Sequence, residues 1–145
     1  MPASGAVTYR GVGFVFYTVN GQESQLLGDA SVRANFGTAA MTGTFNNFVG
    51  GPDIGTPAEQ ISAFNGSLGM TGEIGTVAAG CNACFTGQVS GTLTGSGDTV
   101  QINSGLLGDF YGASYTSIRG FTLNGNTVLV NGVVAQGGAT IVAER

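Results

Sequence analysis

The stretch Phe85–Gly95 reads FTGQVSGTLTG. Phe85, Gly87, Val89, Gly91 and Leu93 alternate with Thr86, Gln88, Ser90, Thr92 and Thr94. One set is apolar or bare, and the other is polar and uncharged. A period of two with this contrast predicts a half-buried β-strand, because successive side chains of a strand point to opposite faces. The opening triplet recurs as Met41-Thr42-Gly43 and Met70-Thr71-Gly72, at a spacing too irregular for a solenoid.

Outward from this stretch the same grammar continues. Strands are predicted over 6–18, 25–36, 39–46, 60–73, 84–94, 99–109, 116–123 and 127–136, with a further apolar segment at 138–144. Turn signals fall at Asn20-Gly21, at Gly95-Ser96-Gly97-Asp98 and at Asn124-Gly125-Asn126. Asn and Gly tolerate the positive φ that tight hairpins need. Two loops are expected, at 45–59 and 75–85. Phe14, Val32, Phe36, Phe85, Val89, Leu93 and Ile102 are the expected core.

About eight antiparallel strands in 145 residues predict one all-β domain spanning 1–145. Closure into a small up-and-down eight-stranded β-barrel removes the exposed edges that would otherwise invite aggregation. Glycines inside strands suit a small, strongly bent barrel. A two-sheet β-sandwich is the alternative. An outer-membrane barrel fits the strand count but would need aromatic girdles that this chain lacks.

Composition narrows the function. The net charge is −4, charged residues make up 8%, and there is no His, Lys or Trp. The cations are Arg10, Arg33, Arg119 and Arg145, too few to neutralise a run of phosphates, so nucleic acid is not an expected partner. Attachment to an anionic membrane is disfavoured for the same reason. Glycine supplies 27 residues, yet the chain is 42% hydrophobic, enough apolar surface to fold rather than remain disordered. No run approaches the roughly 20 apolar residues of a membrane helix. MPASGAV lacks the basic start and apolar stretch of a secretory signal. Either the protein is intracellular, or a signal or lipid anchor has been removed. The absence of Lys and the abundance of Thr, Ser, Asn and Gly favour removal and an extracellular or outer cell-surface location.

The stretch LLGDFYGASYTSIRG, residues 106–120, carries a resemblance. Gly108-x-Phe110-Tyr111-Gly112, followed by Ile118-Arg119-Gly120-Phe121 and a last apolar strand, resembles the barrel domain of the transferrin-binding protein B family, found in surface lipoproteins of Gram-negative bacteria. Asp29–Gly37 followed by Met41-Thr42-Gly43-Thr44-Phe45 has the same strand, turn and T-G-x rhythm. Ala113, Ser117 and Arg119-Gly120 depart from the family pattern, which usually has Pro after F-Y-G, an acidic residue and a double glycine. The resemblance implies an eight-stranded barrel with an apolar interior, exported to the cell surface or beyond. It does not imply transferrin as the ligand.

Cys81-Asn82-Ala83-Cys84 is the sharpest local motif. Redox C-x-x-C pairs open a helix within a βαβ context, which is missing here. Zinc takes four ligands, and haem attachment takes a His where Phe85 stands. A disulfide between Cys81 and Cys84 in an oxidising compartment is the preferred reading, with free thiols or bridges between subunits as alternatives. Catalysis has little material, so no enzyme and no cofactor is expected. General base chemistry would fall on dispersed acids (Glu23, Asp29, Asp53, Glu59, Glu73, Asp98, Asp109 and Glu144), none closely paired in sequence. Ser104-Gly105 resembles no nucleophile elbow. Asp53, in a Gly-Gly-Pro-Asp turn, is a weak calcium candidate against the ordinary reading of a turn residue. Phe45, Phe48, Tyr111 and Tyr115 are residue types that anchor interfaces, with packing at the barrel end as the competing reading. Ile141, in the leftover apolar segment, is a further candidate interface residue.

Two functions remain from these observations. One is an exported binding module that holds a protein or a small apolar ligand at one barrel mouth. The other is a self-assembling subunit of a filament, sheath or shell, for which the low surface charge speaks. Segment 138–144 is expected either to close the barrel beside the first strand or to pair with another subunit.

Overall fold

The structure is a computed structural model and describes residues 4–51, 62–75, 83–123 and 128–145. Its strands are β1 (Ala6–Val19), β2 (Gln22–Asn35), β3 (Ala40–Gly51), β4 (Ser62–Ala63), β5 (Asn65–Ile74), β6 (Cys84–Gly95), β7 (Asp98–Tyr111), β8 (Ser117–Thr122), β9 (Val128–Val130) and β10 (Val133–Glu144). All pairings among them are antiparallel. The order β1-β2-β3-β5-β6-β7-β8-β10 returns to β1 and closes an eight-stranded barrel. β4 is a short addition to β3. β8 and β9 share one place in the wall, since each lies between β7 and β10 at a different height.

The decisive stretch behaves as its alternation requires. Phe85, Val89 and Leu93 are buried, whereas Gln88, Ser90, Thr92 and Thr94 face out. The same alternation in β2 buries Leu26, Ala30, Val32 and Ala34.

Segment 138–144 closes the barrel. It belongs to a single strand, β10, that pairs with β1 from Arg10↔Glu144 to Thr18↔Gln136. The predicted strand 127–136 is corrected: Asn131 (φ 53°) and Gly132 (φ 82°) make a tight turn between β9 and β10. Gly137, which falls between the two expected segments, lies within the strand. The hairpin signal at 124–126 lies outside the described residues.

Three further expectations change. β3 runs on through 45–51, where a loop was expected, because a bulge absorbs one residue opposite Gly28. Asn47 sits there at φ 56° and donates a hydrogen bond to Asp29 Oδ2 at 2.9 Å. The bulge lets Phe45 and Phe48 both point inward, three residues apart. The strand expected over 60–73 divides into β4 and β5 at Phe64. Phe14 is not core but 39% exposed. In β1 the inward set is Tyr9, Gly13, Val15 and Tyr17, and Phe45 supplies the ring that fills the space over Gly13. Phe36 is partly buried against the core.

Inward glycines make room for rings in this narrow barrel. A Cβ on Gly28 would lie 2.7 Å from Phe48 Cδ1. One on Gly108 would collide with the end of the Phe85 ring and with the Arg119 carbonyl. The interior is consequently filled. The void bounded by Phe45, Phe48, Leu68, Val89, Leu106 and Ile141 holds about 10 Å³, no more room than a single water needs.

The two ends differ. The end formed by the β2–β3 and β7–β8 turns, here called the foot, is plugged by aromatic side chains. Phe110 lies 5.4 Å from Phe85, 5.5 Å from Phe36 and 5.9 Å from Tyr9, centroid to centroid. The Tyr9 hydroxyl donates to the Tyr115 carbonyl at 2.9 Å. The Arg145 amide donates to the Thr116 carbonyl at 3.0 Å. The opposite end, here called the mouth, carries the β1–β2, β6–β7 and β9–β10 turns and, among the described residues, is open.

Candidate functional site

Two surfaces stand out, the outer wall and the mouth. On the wall, strand register lines up one row of outward residues. Val49 pairs with Leu27, Leu27 with Phe14, Phe14 with Thr140, Thr140 with Phe121, and Phe121 with Leu107. The row crosses β3, β2, β1, β10, β8 and β7 without a charge. Val49, Leu27, Phe14 and Phe121 are 42%, 42%, 39% and 51% exposed, and Phe16 and Val142 flank them at 38% and 42%. The wall on the far side is different. There β5 and β6 present Ser67, Thr71, Gln88, Ser90, Thr92 and Thr94. Outside, the barrel is therefore apolar along this row and polar on the far side, where Glu73 on β5 adds a charge.

Toward the foot the apolar row gives way to paired polar groups. Asp109 and Arg119 are register partners on β7 and β8. Arg119 grips the carboxylate with two hydrogen bonds, Nε to Oδ1 at 2.9 Å and Nη2 to Oδ2 at 3.2 Å. Its guanidinium carbon stands 5.2 Å from the Tyr111 ring centroid.

The mouth holds an open cleft of about 380 Å³ lined by Tyr17, Val19, Asn20, Gln22, Ser24, Leu26, Phe64, Ser96 and Asp98. Asp98 is fixed in place: the Tyr17 hydroxyl donates to Oδ2 at 3.3 Å and Asn131 Nδ2 to Oδ1 at 3.0 Å. Asn131 is anchored in turn by the Thr99 amide, which donates to its Oδ1 at 2.8 Å. Burial raises the Tyr17 pKa above its ordinary value, a hydrogen bond with Ser24 lowers it, and the neighbouring Asp98 charge raises it further. This phenol is a neutral donor at physiological pH.

Of the candidate interface residues, Phe48 and Ile141 are corrected. They are 1% and 3% exposed and point into the barrel, so neither side chain is available to a partner. Phe45 is buried likewise. Tyr111 is half-buried beneath Arg119, and Tyr115 packs against the core at the foot. These residues do not come together as one patch. The residues that do form a patch, Phe14, Leu27, Val49 and Phe121, were missed because alternation does not say which of two apolar sets in β1 faces in. Cys84 opens β6, and Cys81 lies outside the described residues, as do Asp53 and Glu59. Among the described residues no three His, Cys, Asp or Glu come together in a group that could hold a metal ion. No helix among them is long and apolar enough to cross a membrane. Protein-family models, curated proteins and solved structures offer no match to this chain.

Proposed function

We propose that this protein is a non-enzymatic, exported or cell-surface β-barrel binding module that engages a protein through the apolar side of its outer wall. The observation that carries the reading is the uncharged row Val49–Leu27–Phe14–Thr140–Phe121–Leu107. Contiguous exposed apolar surface of this kind marks sites of interaction. A small apolar ligand inside the barrel is a poor fit, because side chains fill the interior. A membrane-spanning role is a poor fit as well. The Thr, Ser and Gln side chains of β5 and β6 would interrupt the apolar band that lipid requires. The exported location rests on composition and on the resemblance to transferrin-binding protein B-like barrels, which brings no ligand with it.

A second reading, the self-assembling subunit, is favoured by the reach of the row. It covers six of the eight barrel strands, more of the circumference than one convex neighbour can touch. Two copies could thus sit on opposite flanks of a third.

The test is the double variant Phe14→Ser/Phe121→Ser, followed by light scattering, electron microscopy and binding to purified candidate partners. Loss of tenfold or more in affinity for a partner supports the binding module. Ordered polymers of the wild type that vanish in the variant support self-assembly. Wild-type association unaffected by the variant would overturn both readings of the wall.

A further inference from the structure

The mouth cleft is independent of the outer wall, and its chemistry is specific. Asp98 is the one charged residue among the described residues of its lining. The carboxylate has about four lone-pair sites, and its hydrogen bonds to Tyr17 and Asn131 take one on each oxygen. Each oxygen keeps an acceptor site, held in a fixed orientation by a neutral phenol and a neutral amide. Among the described residues no cation within the cleft competes for it.

The placement of charge along the barrel reinforces this. All four arginines lie toward the foot. Arg10 precedes Tyr17 by seven positions in β1, about 23 Å at roughly 3.3 Å per strand residue. Arg33 follows Ser24 by nine positions in β2. Arg119 pairs with Asp109, eleven positions beyond Asp98 in β7. Arg145 follows Glu144, the register partner of Arg10, and donates to the Ser114 carbonyl at the foot. These separations exceed the screening length of about 8 Å at physiological ionic strength. The mouth, with Asp98 in the cleft and Glu23 on its outer rim, therefore presents a negative potential that the arginines do not cancel.

We infer that the mouth cleft binds an organic monocation of the guanidinium type, such as an arginine side chain presented by a partner. The planar fork of a guanidinium matches two acceptor oxygens side by side. The Tyr17 and Phe64 rings and Leu26 supply the apolar wall along which a methylene stem lies. Asn20, Gln22, Ser24 and Ser96 offer further acceptors at the rim. A volume of about 380 Å³ is within the usual range of about 300–1,000 Å³ for small-ligand clefts. Phosphates and carboxylates would be repelled by the Asp98 charge.

The experiment is an amide NMR titration of the full chain with N-acetyl-arginine amide, and with N-acetyl-citrulline amide as its neutral near-isostere. The arginine compound should bind saturably with millimolar affinity and shift the amides of Tyr17, Asn20, Ser96, Asp98 and Asn131. Citrulline should bind at least tenfold more weakly. Asp98→Asn, which keeps the shape and the acceptor for Tyr17, should remove most of that difference, and Asp109→Asn at the foot should leave it intact. Gln22→Arg, at an exposed cleft position, gives a second test that leaves Asp98 in place, and should weaken arginine binding at least fivefold. Equal binding of the two compounds, shifts centred away from the mouth, or arginine binding unchanged by both mouth variants would overturn the proposal.

Discussion

Phe16 and Gly138 stand directly opposite each other across the seam between β1 and β10, and the phenylalanine ring lies over the glycine on the outside of the barrel. A Cβ on Gly138 would come within 3.3 Å of Phe16 Cζ. On the inner side of the same seam, Val15 pairs with Ala139 and both are buried. First and last strands are thus joined on both faces as well as through their backbones. This seam turns a sheet into a barrel.

Deleting Gly138 to Arg145 should therefore unfold the protein. The truncation removes the strand that covers β1 along Arg10–Phe16 and β8 along Ser117–Phe121. It leaves two unpaired edges and opens the core at Ile141 and Ala143. Loss of the cooperative thermal transition by circular dichroism is the expected outcome. A truncated chain that melts like the full one would show that β10 is dispensable.

The two faces of β6 should respond oppositely to charge. Val89 is 2% exposed, whereas Gln88, next to it, faces solvent. Val89→Asp buries an unpaired carboxylate at a cost of about 4 kcal/mol or more, a large share of the roughly 5–15 kcal/mol that holds such a domain together. Gln88→Asp should stay within about 0.5 kcal/mol. Chemical denaturation of the pair measures the contrast, and equal midpoints would mean that the register assigned to β6 is wrong.

Inward and outward glycines should differ as sharply. Gly108→Ala drives a methyl against Phe85 and the Arg119 carbonyl, and overpacking of this kind costs about 1–3 kcal/mol. Gly69 faces out with nothing within 4 Å of a built Cβ. Ala there should be neutral or stabilise by up to about 1 kcal/mol through reduced unfolded-state entropy. At roughly 2–4 °C per kcal/mol for a chain of this size, thermal melts separate the two. A Gly108→Ala protein as stable as wild type would show that the Phe85 ring has another place to go.

Cys81 and Cys84 should be bonded to each other in protein from an oxidising compartment. A bond between them makes each chain lighter by two thiol hydrogens, and reduction followed by alkylation adds two labels. Two labels added without reduction would show free thiols. A covalent dimer on a non-reducing gel would show bridges between chains.

Much of the barrel was legible in the sequence because its evidence is local. A period of two in Phe85–Gly95 needs only the geometry of one strand to place Val89 and Leu93 inside. Asn20-Gly21 needs only its own backbone preference to turn, and the paired positive φ values of 51° and 79° fulfil it. The scarcity of charge and the absence of His are facts of composition, and they limit chemistry before any folding. What only the tertiary structure decided depends on residues far apart in the chain. In β1, Phe14 and Phe16 compete with Val15 and Tyr17 for the interior. The outcome is set by Phe45 on β3, whose ring occupies the space over Gly13. The apolar row on the wall depends on register across six strands, from Val49 to Leu107. The fixed carboxylate at the mouth needs Tyr17, Asp98 and Asn131, drawn from β1, β7 and the β9–β10 turn. Alternation tells each strand that it has two faces. Which face turns inward, and which neighbours meet on the outer one, follows from closing the ring, where every strand must fit the space its partners leave.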